Sequence, residues 1–348
     1  MNQNIVDKRK LTATEEKELS KNVFVVAPNV WRMKDIFVNV FIIQNSHSSN
    51  FVLVDTGLKS SAPKIKKMIA EVLSPAATPT AIIMTHGHFD HRGSIQQLAG
   101  EWQVPVYAHH LELPYLNGKS AYPPPDATVG GGAMASLAFM YPKTPIDVSD
   151  HLESLPEDGS IPGLPEWKWI HTPGHTPGHI SLFRENDGVL VAGDAFVTTK
   201  QESIFSVMKQ KKELNGPPKY FTPDWISATR SVKELAALEA NVVSTGHGQS
   251  MYGDEARKGL HKLAKNFWHM GIPSKGRYVK EAALFNEDGV TYVPAARRNA
   301  RLIAIVGATV LIAAGYLLYK RKHKKLGKAL IGSSMKILTD TISKVSVA

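Results

Sequence analysis

From Val23 onward the apolar residues come in short runs closed by Asn, Asp or Gly: NVFVVAPNVW, DIFVNVFIIQN and NFVLVDTG. Runs of this length, rich in β-branched and aromatic residues and bounded by turn formers, predict consecutive strands joined by tight turns. SAPKIKKMIAEVL switches to helical spacing, with Pro63 near its start. Strand and helix then alternate. AIIMTHGHFDH predicts a buried strand running into a loop, GSIQQLAGEW a short helix and VPVYAHH another strand. Residues 112–165, rich in Pro and Gly, predict a long connection of the kind that forms a lid. Strands resume at WKWIHTPGHTPGHISLF and VLVAGDAF. PDWISATRSVKELAALEA predicts a helix, NVVSTGHG a strand entering a loop, and DEARKGLHKLAKNFWHM a last helix. The polar stretch before Val23 has no apolar run that could serve as a signal peptide.

The chemistry lies where apolar runs end. VLVDTG places Asp55 there, IIMTHGHFDH places His86, His88, Asp90 and His91, HTPGHTPGH places His175, VLVAGDAF places Asp194, and VVSTGHG places His247. Any one of these residues alone reads as a turn former or a satisfied polar group. The cluster from His86 to His91 follows directly on a strand, where a loop can turn imidazoles and a carboxylate toward one point. That donor density suits Zn²⁺, which takes His nitrogen and carboxylate oxygen at about 2.0–2.2 Å. The chain has no Cys, so thiolate sites, disulfides and a Cys nucleophile are excluded, and His, Asp and Glu are left as the strong ligands.

THGHFDH resembles the H-x-H-x-D-H signature of the metallo-β-lactamase superfamily, and LVDTG, TPGH, AGD and TGHG follow in that family's order between about Val23 and His269. The resemblance implies an α/β fold, an αββα sandwich of two mixed sheets with outer helices and a metal site at one edge. It implies that His86, His88 and His175 hold one metal ion, that Asp90, His91 and His247 hold a second, and that Asp194 bridges them. Asp55 would orient a ligand or the loop backbone through hydrogen bonds. Within the family the pattern is closest to glyoxalase II and the lactonases. Members with a Cys ligand are excluded, and His88 stands where the flavodiiron pattern has Glu.

A two-metal hydrolase follows. Two divalent ions sharing a water lower its pKa toward neutrality and give a hydroxide nucleophile, with Asp90 and Asp194 as catalytic carboxylates. The bond cleaved would be an ester, thioester, lactone or related bond in a small molecule. Two other readings stand beside it: an iron-dependent dioxygenase acting on a thiol-derived substrate, and a non-catalytic membrane scaffold with this fold.

Other residues are assigned more ordinary parts. His171 and His179 are expected to pack or hydrogen-bond around His175, and His109 and His110 to be structural or substrate-adjacent. Phe205, Met208, Tyr220, Phe221 and Trp225 could line an apolar substrate pocket or belong to the core. Tyr220 or Lys219 could donate to a developing oxyanion.

Charge changes the picture only at the C-terminal end. The net charge is +10, from 41 Lys/Arg against 31 Asp/Glu; residues 297–348 hold eleven of the basic residues and one Asp, which leaves 30 of each sign in residues 1–296. The basic balance therefore describes a tail and not a nucleic-acid-binding surface. Within that tail 302–319 reads LIAIVGATVLIAAGYLLY, uncharged between basic clusters, and at about 1.5 Å per residue it reaches roughly 27 Å. This predicts a transmembrane helix 302–319, with Ile331, Met335, Leu338, Ile342 and Val345 as the apolar stripe of an amphipathic helix over 331–345. The expected organisation is a polar segment 1–22, a catalytic domain 23–296 and a membrane anchor 297–348. The expected localisation is a single-pass membrane protein with its catalytic domain in the cytoplasm.

Overall fold

A computed structural model of the protein describes residues 15–296, all within one compact unit that ends at Ala296. The first sheet has eight strands in sequential order: β1 (Lys17–Ser20), β2 (Val23–Ala27), β3 (Val30–Asp35), β4 (Val38–Gln44), β5 (Phe51–Val54), β6 (Ala81–Ile83), β7 (Val106–Ala108) and β8 (Leu152–Ser154). Neighbours are antiparallel as far as β5, and the pairs from β5 to β8 are parallel. The change comes where α1 (Ala62–Val72) and α2 (Ile95–Trp102) enter the chain, since a parallel pair needs a crossover. The second sheet runs β13-β12-β11-β10-β9, from β9 (Trp167–His171), β10 (Ile180–Arg184), β11 (Val189–Val191), β12 (Val242–Ser244) and β13 (Met251–Tyr252). β11 and β12 are parallel.

The unbroken apolar runs are explained by burial on both faces of each sheet, because successive strand side chains point to opposite sides. Val40, Ile42, Leu53 and Ile82 pack under α1 and α2 with Ile65, Met68 and Leu98. Their neighbours Phe41, Ile43, Val52, Val54 and Ile83 face the second sheet and meet Ile180, Leu182, Val189, Val191 and Val242. On the far side Leu190 and Val243 pack with Val232, Leu235, Leu260 and Leu263. Short helices α3 (Leu113–Leu116), α4 (Ala133–Ser136) and α5 (Ile204–Lys209) precede α6 (Trp225–Ala237) and α7 (Gly253–Lys265), which supply that outer layer; α8 (Phe267–Met270) follows. The result is helix, sheet, sheet, helix, as the resemblance implies.

Three differences have physical reasons. β1 falls inside the polar segment expected before Val23. It is an edge strand with exposed side chains, held by backbone pairing to β2 and by Glu16, whose carboxylate accepts from Arg32 Nε at 2.8 Å and Ser250 N at 2.9 Å. β8 and α3 lie inside the expected connection 112–165, where neither shows a periodic pattern. A hairpin of β14 (Leu284–Asn286) and β15 (Gly289–Tyr292) follows the last helix. The expectation of a single-pass membrane protein is corrected: among the described residues no helix is long and apolar enough to cross a membrane. The segments on which it rested, 302–319 and 331–345, lie outside the described residues, so the transmembrane helix is not part of the observed fold.

Candidate metal centre

β5, β6, β11 and β12 are parallel within their sheets, and each ends in a loop that carries a polar residue of the site. Asp55 follows β5, His86 to His91 follow β6, Asp194 follows β11 and His247 follows β12; His175 comes from the connection between β9 and β10. The seven residues named as candidate ligands are brought together and all are buried. Three groups each offer donor atoms within 4.8 Å of one another: His86 with His88 and His175, His86 with His91 and Asp194, and Asp90 with His91 and His247. Asp194 Oδ2 is central, 3.0 Å from His247 Nε2, 3.5 Å from His175 Nε2 and 3.6 Å from His91 Nε2. His247 Nε2 also lies 3.6 Å from Asp90 Oδ2.

Hydrogen bonds on the outer nitrogens aim the imidazoles inward. His247 Nδ1 donates to Phe37 O at 2.7 Å, which turns Nε2 toward Asp194. His91 Nδ1 donates to Asp55 Oδ2 at 2.8 Å, and the same carboxylate accepts from Thr85 N and Thr85 Oγ1, each at 2.8 Å. Asp55 thus ties β5 to the histidine loop and fixes the tautomer of His91, from a backbone φ of +60°, a strained region that persists only where the surroundings fix it. His179 accepts from Asp194 N at 2.8 Å through Nε2, so its proton sits on Nδ1, which donates to Thr172 Oγ1 at 2.8 Å. His179 therefore holds the Asp194 backbone, and His171 donates to Pro177 O at 2.8 Å in the same loop.

The electrostatics divide the candidate ligands into two kinds. Burial and neighbouring imidazoles hold His86 and His88 well below their ordinary pKa, and burial brings His175 down to about 3. Those three are neutral, ready to offer lone pairs. Burial also opposes charge on His91 and His247, but the carboxylates of Asp194 and Asp55 outweigh it for His91 and raise it far above normal, and Asp194 raises His247. Asp194 is held well below the carboxylate range by those two imidazoles despite its burial, whereas burial raises Asp90.

His88 and His175 face a narrow cavity that Tyr122, Tyr220 and Phe221 also line. Phe221 stacks on His88 at 4.4 Å between ring centroids, and Tyr141 and Phe89 lie 5.8 and 6.2 Å from Phe221. Of the expected pocket residues, Tyr220 and Phe221 are at the site, Trp225 begins α6 and belongs to the core, and Phe205 and Met208 are exposed on α5. His109 and His110 stack on each other, and His109 stacks on His171 at 4.1 Å; neither belongs to the ligand groups. Sequence reasoning missed Glu112, Tyr122, Thr85 and Thr172, which support the site through hydrogen bonds to partners elsewhere in the chain or to the backbone and carry no spacing signal.

Residues 33–247 match the model of the metallo-beta-lactamase superfamily, and the chain belongs to that superfamily as a metallo-hydrolase. It is 47% identical over 242 residues to "Probable metallo-hydrolase YflN" of Bacillus subtilis, covering 69% of this chain and 92% of the relative. "Probable metallo-hydrolase YybB" of the same organism is 27% identical over 70% of this chain and 95% of its own length. Among solved structures, TTHA1623 in a di-iron-bound form is 25% identical with a TM-score of 0.45, covering 65% of this chain and 96% of that one.

Proposed function

We propose that His86, His88 and His175 hold one divalent ion, that Asp90, His91 and His247 hold a second, that Asp194 lies between them, and that the enzyme hydrolyses an ester, thioester, lactone or related bond. One observation carries this reading. His86 Nε2, His91 Nε2 and Asp194 Oδ1 are fully buried, have no hydrogen-bond partner and belong to a single ligand group. Leaving a buried polar atom unpaired costs about 1–3 kcal/mol, and three together are explained by ions that take up the lone pairs. Imidazole nitrogen and carboxylate oxygen without sulfur suit zinc as well as iron and manganese, and zinc is the ion we propose.

When bound, the ions supply Lewis acidity that lowers the pKa of water and stabilises negative charge on the substrate. The chain does the rest. Asp90, ionised as a ligand, would orient the attacking water through its carboxylate. Asp55 and Phe37 fix the directions of His91 and His247. Phe221, Tyr220 and Tyr122 wall the side of His88 and His175 and keep bulk water from the reacting bond. No Ser or Cys nucleophile is needed.

Elemental analysis of the purified chain tests the reading. Two divalent ions per chain are expected, and Asp194→Ala should lose at least one of them and drop turnover of ester, thioester and lactone substrates to background while keeping the fold. A ratio near zero after remetallation would overturn the proposal, and one tightly held iron would favour the dioxygenase.

A further inference from the structure

Glu112 lies four residues after β7, at the end of a short 3-10 turn, it is completely buried, and it takes no part in the ligand groups. Its carboxylate receives four hydrogen bonds from two different ligand loops and a tyrosine. Oε2 accepts from Gly87 N at 3.0 Å and from the Tyr122 hydroxyl; Oε1 accepts from Thr176 Oγ1 at 2.6 Å and from Gly178 N at 2.9 Å. Tyr122 Oη in turn accepts from Gly87 N at 2.9 Å. Gly87 stands between His86 and His88, and Thr176 follows His175.

We infer that Glu112 is a positioning residue that sets the spacing of the His86–His88–His175 ion position by clamping the loop after β6 to the loop between β9 and β10. The inference rests on the ligand assignment proposed above. His88 Nδ1 and His175 Nε2 are 2.9 Å apart; the Asp194 carboxylate also lies against both loops, but through ring nitrogens of His91 and His175, whereas Glu112 holds the backbone beside the ligands. The clamp is built for close approach. A Cβ on Gly178 would meet Glu112 Cγ and N at 2.8 Å, and one on Gly87 would meet Tyr122 Oη at 2.7 Å and Leu116 Cδ2 at 3.2 Å. Both loops thus present bare backbone N–H groups where the carboxylate sits. A charged acceptor strengthens such bonds, and a buried carboxylate with four donors is tolerated where an unpaired one would not be. None of the four bonds reaches Asp90, His91, Asp194 or His247, so the effect is confined to one of the two ion positions.

The test measures ion binding and not turnover. The full chain is stripped with chelator and titrated with Zn²⁺ against a chromophoric competitor, for the parent, Glu112→Gln, Thr176→Val and Tyr122→Phe. In Glu112→Gln the amide keeps the shape and places an N–H₂ against two donors. One of the two affinities should weaken by about 10–100-fold, the range for groups that orient a ligand from behind, while the other stays at the parent value. Thr176→Val and Tyr122→Phe should weaken the same position by less. Two unchanged affinities in Glu112→Gln would overturn the inference, and so would equal weakening of both, which marks a role in general packing. If Glu112→Gln does not fold, the two hydroxyl variants decide: selective weakening upholds the clamp, and unchanged or equal weakening removes it. A parent chain that binds no Zn²⁺ would instead sink the metal-centre reading itself.

Discussion

His109 shows how one buried ring can set a pH response away from the reacting groups. Its Nδ1 accepts from Leu111 N at 3.2 Å, so the ring is neutral with its proton on Nε2, and it lies between the rings of His110 and His171 with Trp169 at its edge. Burial, with smaller contributions from His171 and His110, lowers its pKa to about 3. An unfolded histidine titrates near 6.5. Above that pH the ring is neutral in both states and adds no pH dependence. Below it the unfolded chain binds a proton that the native ring refuses, so stability falls as the pH drops from about 6.5 toward 3. His109→Phe keeps the stacked ring and removes the proton site. Urea denaturation of the metal-stripped chain at pH 7 and pH 5 should show a smaller loss in the variant than in the parent; equal losses would show that His109 is already protonated in the native state.

At the scale of elements, α6 is set by its first residue and by one face. Asp224 is its N-cap and accepts from Ile226 N and Ser227 N, each at 3.0 Å, while Trp225, Ala228, Val232 and Leu235 bury the side toward the second sheet. Asp224→Ala should lower stability by about 1 kcal/mol in urea denaturation. Ion stoichiometry should not change, because the bonds from α6 to the His175 loop, Asp224 N to Gly174 O and Ser231 Oγ to Pro173 O at 2.7 Å, do not use the Asp224 carboxylate. The helix was legible in the sequence for the same reason that β4, β5, β6 and α7 were: burial imposes a period, or an unbroken apolar run, on the residues that carry it. β1 and β8 were not, since both are edge strands with exposed or half-exposed side chains, held by backbone pairing that leaves no trace in residue type. The candidate ligands, which the structure brings together, were legible because metal chemistry narrows the residue types and crowds them after strands. Glu112 was not: its partners Gly87 and Gly178 are 25 and 66 positions away, and a lone Glu before a Pro-rich stretch reads as surface. Phe205 and Met208 were read as pocket residues on apolarity alone, which does not distinguish a wall from an exposed helix face.

For the whole molecule the candidate metal centre is a seam. His86, His88, Asp90 and His91 hang from the first sheet, and His175, Asp194 and His247 from the second. At that edge the two sheets are already joined by Ile180 N to Thr85 O at 3.0 Å, Asn39 N to Gly246 O at 2.8 Å, and Asn39 Nδ2 to Thr245 O and Gly248 O, each at 2.8 Å. Ions that take ligands from both halves bind the native arrangement and not the unfolded chain, so they stabilise folding by mass action. A free ion at a thousand times its dissociation constant contributes about 4 kcal/mol. At about 2–4 °C per kcal/mol for a large domain, stripping the ions should lower the thermal midpoint by on the order of 10 °C, and adding Zn²⁺ back should restore it. Because the interface between the sheets is one continuous apolar core, the stripped chain should still unfold in a single calorimetric transition. Two separated transitions would mean that the ions, and not the core, couple the halves. An unchanged midpoint would mean that the buried donors are satisfied without them.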